Sequence, residues 1–139
     1  MLFLVDEDTR AFNFVMEAFG LPKDIQEQKE IRRQAIQEAT LKAIEVPFKV
    51  MKVAAGAVEL LEKMAEIGNP NSSSDAAVGA LCLRTAVSGA CLNVRINAVE
   101  IKDPDLVKET LEQAGRIEKE VIKRCEQIQK KVLLKISAR

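Results

Sequence analysis

The sequence predicts an all-α fold, an antiparallel helical bundle of about four long helices with one kinked at Pro47, and three observations predict it. Apolar residues recur at helical spacing along almost the whole chain. No stretch alternates apolar and polar residues for more than a few positions, as a half-buried strand would. The pattern breaks at Gly20-Leu21-Pro22, at Gly68-Asn69-Pro70 and at Lys102-Asp103-Pro104, each a combination that stops one helix or starts the next. At 139 residues the chain fits one helical domain, residues 1–139, and can bury roughly two thirds of its unfolded surface.

The first helix is expected from near the start to Phe19, where a glycine with a proline just beyond it ends the pattern. The second starts near Asp24, a good N-cap residue, and runs to Ile67, with Pro47 kinking or splitting it. Gly68 closes it. The polar stretch from Gly68 to Asp75 follows, and the third helix spans about Ser73 to Val99. Pro104 opens a last helix that reaches nearly to Arg139.

Composition excludes several functions. Twenty-one basic residues balance twenty-one acidic ones, so nothing in the charge points to nucleic acid or to an anionic membrane surface, and no such partner is expected. The apolar start Met1-Leu2-Phe3-Leu4-Val5 is too short for a signal peptide, and no later run is read as a membrane span, so a cytoplasmic location is expected. Cys82, Cys91 and Cys125 are odd in number and lack a Cys-x-x-Cys pair, which fits reduced core thiols and argues against a disulfide framework or a zinc site. The chain has no histidine. Acid–base chemistry would have to come from carboxylates, Lys, Cys or amides, and no metal ligand set is expected.

Polar residues that intrude on apolar stripes mark the candidate site. On the first helix Leu4, Ala11, Phe12, Val15 and Phe19 share a side, and Asp8 lies among them. Asp8 is either a paired carboxylate at a helix interface or a desolvated acid or base. On the second helix Lys29 and Arg32 interrupt the stripe formed by Ile25, Ile36, Ala39, Ala43, Val50, Ala54, Val58 and Leu61. Lys29 suits snorkelling, whereas the Arg32 guanidinium suits an anion or a pair with Asp8.

The third helix places Asp75, Gly79, Cys82, Ala86, Gly89, Ala90, Asn93 and Asn97 within about 60° of one line. Small residues in the middle of such a face admit either another backbone or a flat ligand. Arg84, Ser88 and Arg95 fall on the opposite side, which predicts a helix surrounded by partners. Asp75 also fits a helix-start arrangement, at N3 behind Ser72 as N-cap. Eighteen residues separate Asp75 from Asn93, about 27 Å along a helix, so the two cannot serve one reacting atom of the same chain. The last helix reads as packing with a solvated face.

Taken in order, Leu4-Val5-Asp6-Glu7-Asp8-x-x-Ala11-Phe12, Leu21-Pro22, Arg32 with Ala39 and Glu45-Val46-Pro47, Gly68-Asn69 with Ser74-Asp75-Ala76, and Asn93-Val94-x-Ile96-Asn97 resemble the formiminotransferase-cyclodeaminase family. The resemblance is to its cyclodeaminase/cyclohydrolase domain, and runs from near residue 1 to about residue 103.

It implies an all-helical, usually homodimeric enzyme whose substrate is a tetrahydrofolate derivative, with no covalently bound cofactor. One branch converts 5-formiminotetrahydrofolate to 5,10-methenyltetrahydrofolate with release of ammonia. The other hydrolyses the methenyl compound. For such a reaction, side-chain chemistry suggests Asp8 or Asp75 for the proton transfer, Asn93 and Asn97 for the polar edge of the pterin, and Arg32 or Arg95 for the glutamate carboxylates. Relative to the family the chain is expected to begin after an amino-terminal glycine-rich segment. The alternative function is a non-catalytic module that keeps the family fold for oligomerisation or partner binding.

Overall fold

The computed structural model describes residues 2–69 and 73–138, for Leu2 the backbone alone. Four helices make up the described chain: α1 (Leu2–Gly20), α2 (Gln26–Ile67), α3 (Ser73–Ala98) and α4 (Pro104–Ser137). The all-α bundle expected from the sequence is present. α2 is its spine, with α1 packed on one part of it and α3 and α4 on another, and α4 also packs along α3.

The main core lies between α2, α3 and α4, where Met51, Val58, Val87, Cys91, Val94, Val121, Cys125 and Ile128 are almost or fully removed from solvent. Gly79 makes one contact of that core possible: a Cβ there would stand 2.9 Å from Leu61 Cδ2. Two smaller clusters join α1 to α2, through Ala11 with Ala43 and Val46, and through Ala18 with Ile36 and Ala39. The α1 stripe is narrower than the sequence suggested. Leu4, Ala11 and Val15 face α2, but Phe12 and Phe19 are exposed because they sit on the neighbouring sector of the helix.

Specific donors and acceptors close both ends of α2 and the start of α4. At the start of α2 the expected Asp24 cap is replaced by Gln28, whose Oε1 accepts from the backbone N–H of Asp24 at 3.0 Å and of Ile25 at 3.4 Å. α4 begins as the sequence predicts, with Asp103 accepting from Asp105 N at 3.0 Å and Leu106 N at 3.2 Å ahead of Pro104. α2 ends at Gly68, whose N–H reaches Met64 O at 3.0 Å. Only glycine fits so close an approach, since a Cβ would stand 2.2 Å from that same oxygen. Lys135, from α4, donates to the late α2 carbonyls Ala65 O at 2.6 Å and Glu66 O at 2.7 Å. Pro70, Asn71 and Ser72, with the expected Ser72 cap, lie outside the described residues.

Pro47 does not split α2, which is helical on both sides of it. A proline inside a helix removes the N–H that would bond the carbonyl four residues back, here Ala43 O. Asn97 of α3 replaces that donor: its Nδ2 reaches Ala43 O at 3.2 Å. The defect thereby becomes a cross-link between α2 and α3.

α3 is not surrounded by partners, as the sequence had suggested. Its Ala76, Ala80, Val87, Cys91 and Val94 side is buried against α2 and α4, whereas Val78, Leu81, Leu92 and Ile96 are at least half exposed. Contrary to the sequence reading, α3 is long and apolar enough, by length and composition, to cross a membrane. Its packing and the ion pairs of Arg84 with Glu126 at 3.4 Å and Arg95 with Glu118 at 3.6 Å are those of a bundle helix with one uncovered side.

Candidate functional site

Where α1, α2 and α3 converge there is a groove of about 500 Å³. That is within the range of small-molecule sites. Its walls are apolar: Leu4 and Val5 from α1, Val46, Pro47 and Val50 from α2, Ala86 and Ala90 from α3. Three polar side chains enter it, Asp8, Thr85 and Asn93. At Gly89 nothing lies within 4 Å of where a Cβ would stand, so this glycine opens the groove instead of packing a helix. A flat ring could lie there against backbone on one side and Pro47 on the other.

α1 is held over the groove by Ala11 and Ala18 packed on α2 and by Lys49, whose Nζ lies 3.1 Å from Glu7. That side chain neutralises the carboxylate next in sequence to Asp8. Asp8 itself is exposed in the isolated chain, so the desolvation considered from the sequence is not present here. Thr85 was not singled out from the sequence, because it lies off the Asp75–Asn97 line. Its Oγ1 donates to Leu81 O at 3.1 Å, and the oxygen keeps the capacity to accept from a ligand.

The groove gathers two of the six candidate residues, Asp8 and Asn93, and the other four are placed elsewhere. Arg32 donates through Nε and Nη2 to Phe19 O, at 3.3 and 3.2 Å, and stacks 5.6 Å from the Phe19 ring centroid. It closes the end of α1 and does not pair with Asp8. Arg95 turns towards α4, with Nε 3.5 Å from Cys91 Sγ and Nη2 near Glu118. Asn97 holds the Ala43 carbonyl, and Asp75 is exposed in the first turn of α3, at the far end from Asn93.

Cys91 and Cys125 are buried as expected, and burial pushes both thiols above the ordinary cysteine range, which leaves them unreactive near neutral pH. Cys82 departs from the expectation and is exposed.

Residues 1–116 match the model of a family described as formiminotransferase-cyclodeaminase. The match continues into α4, beyond the motifs legible by eye. A methenyltetrahydrofolate cyclohydrolase of Methylorubrum extorquens is 38% identical over 110 residues, 79% of this chain and 53% of that protein. A formimidoyltransferase-cyclodeaminase of Dictyostelium discoideum is 38% identical over 132 residues, 95% of this chain and 23% of that protein. Among solved structures, the formiminotetrahydrofolate cyclodeaminase of Thermotoga maritima superposes with a TM-score of 0.71 at 28% identity, over 94% of this chain and 62% of that one. The chain thus spans about half the length of the first of these relatives and about a quarter of the second. With most of its length matched and the helical architecture shared, the chain belongs to the formiminotransferase-cyclodeaminase family.

Proposed function

We propose that the groove between α1, α2 and α3 binds a reduced folate and acts on the one-carbon unit bridging its nitrogens 5 and 10, as a cyclodeaminase or as the related methenyltetrahydrofolate cyclohydrolase. The observation that carries this is the meeting of Asp8 and Asn93 on one apolar groove, with Gly89 leaving room for a planar ring. Asn93 offers an amide donor and acceptor to the pterin edge. Asp8 is the acid–base group.

In the deaminating reaction, nitrogen 10 attacks the carbon of the protonated formimino group, a carbon–nitrogen bond forms, and the C=N double bond opens to leave a single bond to the amine. Asp8 takes the proton from nitrogen 10 and passes it to the amine, whose bond to carbon breaks as ammonia leaves. The methenyl product is a cation, and a carboxylate beside the carbon stabilises that charge as it develops. The hydrolytic reaction uses the same position, with Asp8 accepting a proton from the water that attacks the methenyl carbon. Bound ligand would cover Asp8, exclude water and strengthen both effects. Homodimer formation belongs to this proposal, because the groove is open on one side.

Calorimetric titration with 5-formyltetrahydrofolate tests the binding. Saturable heat is expected, and none at millimolar ligand rejects the folate reading. Asp8→Asn is expected to bind the ligand with little change and to lose about 10²–10⁴-fold in turnover, with its circular dichroism unaltered. Turnover equal to wild type would remove Asp8 from the chemistry.

A further inference from the structure

The groove between α1, α2 and α3 carries an uncancelled negative charge. Among the described residues Asp8 is the one ionisable side chain that lines it, with no lysine or arginine beside it. Other charges on the same helices are taken up elsewhere: Lys49 by Glu7 at 3.1 Å, Arg84 by Glu126 at 3.4 Å, and Arg95 by Glu118 at 3.6 Å. Arg10 donates to Asp6 O at 3.1 Å and lies over the Phe3 ring. Asp8 has no ion pair among the described residues.

In the isolated chain water screens that carboxylate. A ligand lying on the groove covers it, and a covered carboxylate costs free energy unless something pairs with it. A cationic ligand supplies the pair. A neutral one leaves the charge uncompensated.

The hydrogen-bonding groups point the same way. An aspartate carboxylate only accepts. Thr85 donates its hydrogen to Leu81 O at 3.1 Å, so towards the groove its oxygen accepts as well. The walls are helical, and their backbone N–H groups are bonded within the helices. Asn93 is left as the one lining side chain with N–H groups to offer. A ligand whose reacting carbon carries positive charge and no oxygen suits this lining, whereas a carbonyl oxygen at that carbon sets one acceptor against others.

The consequence concerns the one-carbon unit, and it rests on the folate reading proposed above. A protonated formimino group and a methenyl bridge are both amidinium cations, with the charge shared between two nitrogens and the carbon between them. A formyl group on one nitrogen is a neutral amide with an exposed oxygen. We infer that the groove selects folates by the charge on the one-carbon unit, taking the amidinium states in preference to the neutral formyl state, with Asp8 as the specificity-determining residue. This selection acts on the bound ligand before any bond changes, so it decides which folate stays as well as which one reacts. Hydrolysis turns a held cation into a weakly held amide, and deamination leaves a cation that is slow to go.

Two ligands that share one pterin and one glutamate test this, because their difference reports the one-carbon unit alone. 5-Formyltetrahydrofolate is titrated by calorimetry, and 5,10-methenyltetrahydrofolate is mixed by stopped flow and its absorbance followed before turnover. The methenyl compound is expected to bind at least about tenfold more tightly. Asp8→Asn keeps the shape and removes the charge, and it is expected to bring the two affinities within about threefold by weakening the methenyl compound alone. Thr85→Val is expected to change both affinities by the same factor. Equal affinities in wild type, or an Asp8→Asn variant that keeps the preference, overturn the inference and leave the folate site in place. Selective loss of the formyl compound in Thr85→Val also overturns it, since Thr85 would then be donating into the groove. Binding of neither ligand rejects the folate site and the inference together.

Discussion

Val94 and Ile96 stand two residues apart on α3, carry similar side chains, and differ completely in their surroundings: Val94 is 0% exposed and Ile96 69%. The same contrast separates the helix's two sides. One is packed against α2 and α4, and the other leaves Val78, Leu81, Leu92 and Ile96 uncovered. The two glycines repeat it, since Gly79 is pressed against Leu61 while Gly89 opens on the groove. Hydrophobicity alone therefore does not say which side makes the core. The packed side stabilises the fold of one chain, and the open side is free to serve binding and assembly.

The largest effect should come from forcing the two sides apart by charge. Val94→Asp buries an unpaired carboxylate and should unfold the chain or cost about 4 kcal/mol or more. Ile96→Asp, measured in dilute solution to avoid association, should cost less than about 1 kcal/mol. Urea titrations followed by circular dichroism give both values. Equal losses would mean that the Ile96 side is needed within one chain.

Next in size is the seam between the two sides, where Asn97 completes the helix that Pro47 interrupts. Asn97→Ala leaves the Ala43 carbonyl without its donor and should cost about 1–3 kcal/mol. Pro47→Ala restores a backbone N–H able to reach that carbonyl, so Asn97→Ala should cost much less in the Pro47→Ala background. A double-mutant cycle measures the coupling. Additive losses would show that Asn97 acts through something other than Ala43 O.

This pair shows what the sequence disclosed and what it withheld. The four helices and several of their ends were legible, because Gly20, Gly68, Asp103 and Pro104 act on the backbone beside them. Asp8 and Asn93 were legible as polar residues inside apolar patterns, and the groove joins them. Arg32 and Asn97 gave the same signal, but their partners are carbonyls 13 and 54 residues away, and a carbonyl has no sequence signature. One clue was present all the same: Pro47 frees Ala43 O by geometry, and a buried carbonyl requires a donor. Phe12 and Phe19 misled for another reason. Periodicity finds an apolar sector but does not say how much of it a neighbour covers.

A smaller effect, of opposite sign, is expected at the open glycine. Gly89→Ala meets no atom within 4 Å, so replacing glycine in a helix should stabilise the fold by up to about 1 kcal/mol. The added methyl enters the groove, so folate binding should weaken as stability rises. Thermal unfolding and calorimetry on one sample give both numbers. Gly79→Ala makes the contrast, since its methyl must displace Leu61 and the gain in helix propensity is offset. Stabilisation at Gly89 without loss of affinity would place the ligand elsewhere.

The smallest effect belongs to the packed side, at the fork between α2 and α4. Arg124 donates through Nε to Glu62 Oε1 at 2.8 Å and through Nη2 to Oε2 at 2.6 Å. Those hydrogen bonds hold the Glu62 carboxyl below its usual range, against the upward push of partial burial. In the unfolded chain it returns to the ordinary value near 4.3. The stabilisation is therefore present above that value and is lost as the pH falls through the lower folded one. Both side chains are about a third exposed, so solvent screening limits it to the order of 0.5–1 kcal/mol, or about 2–4 °C in Tm. Wild type and Arg124→Met should differ by that amount at pH 7 and converge as the pH falls through the lowered folded value. A gap that persists into acid would mean that Arg124 stabilises the bundle through its methylenes, by covering the core, and not through its charge.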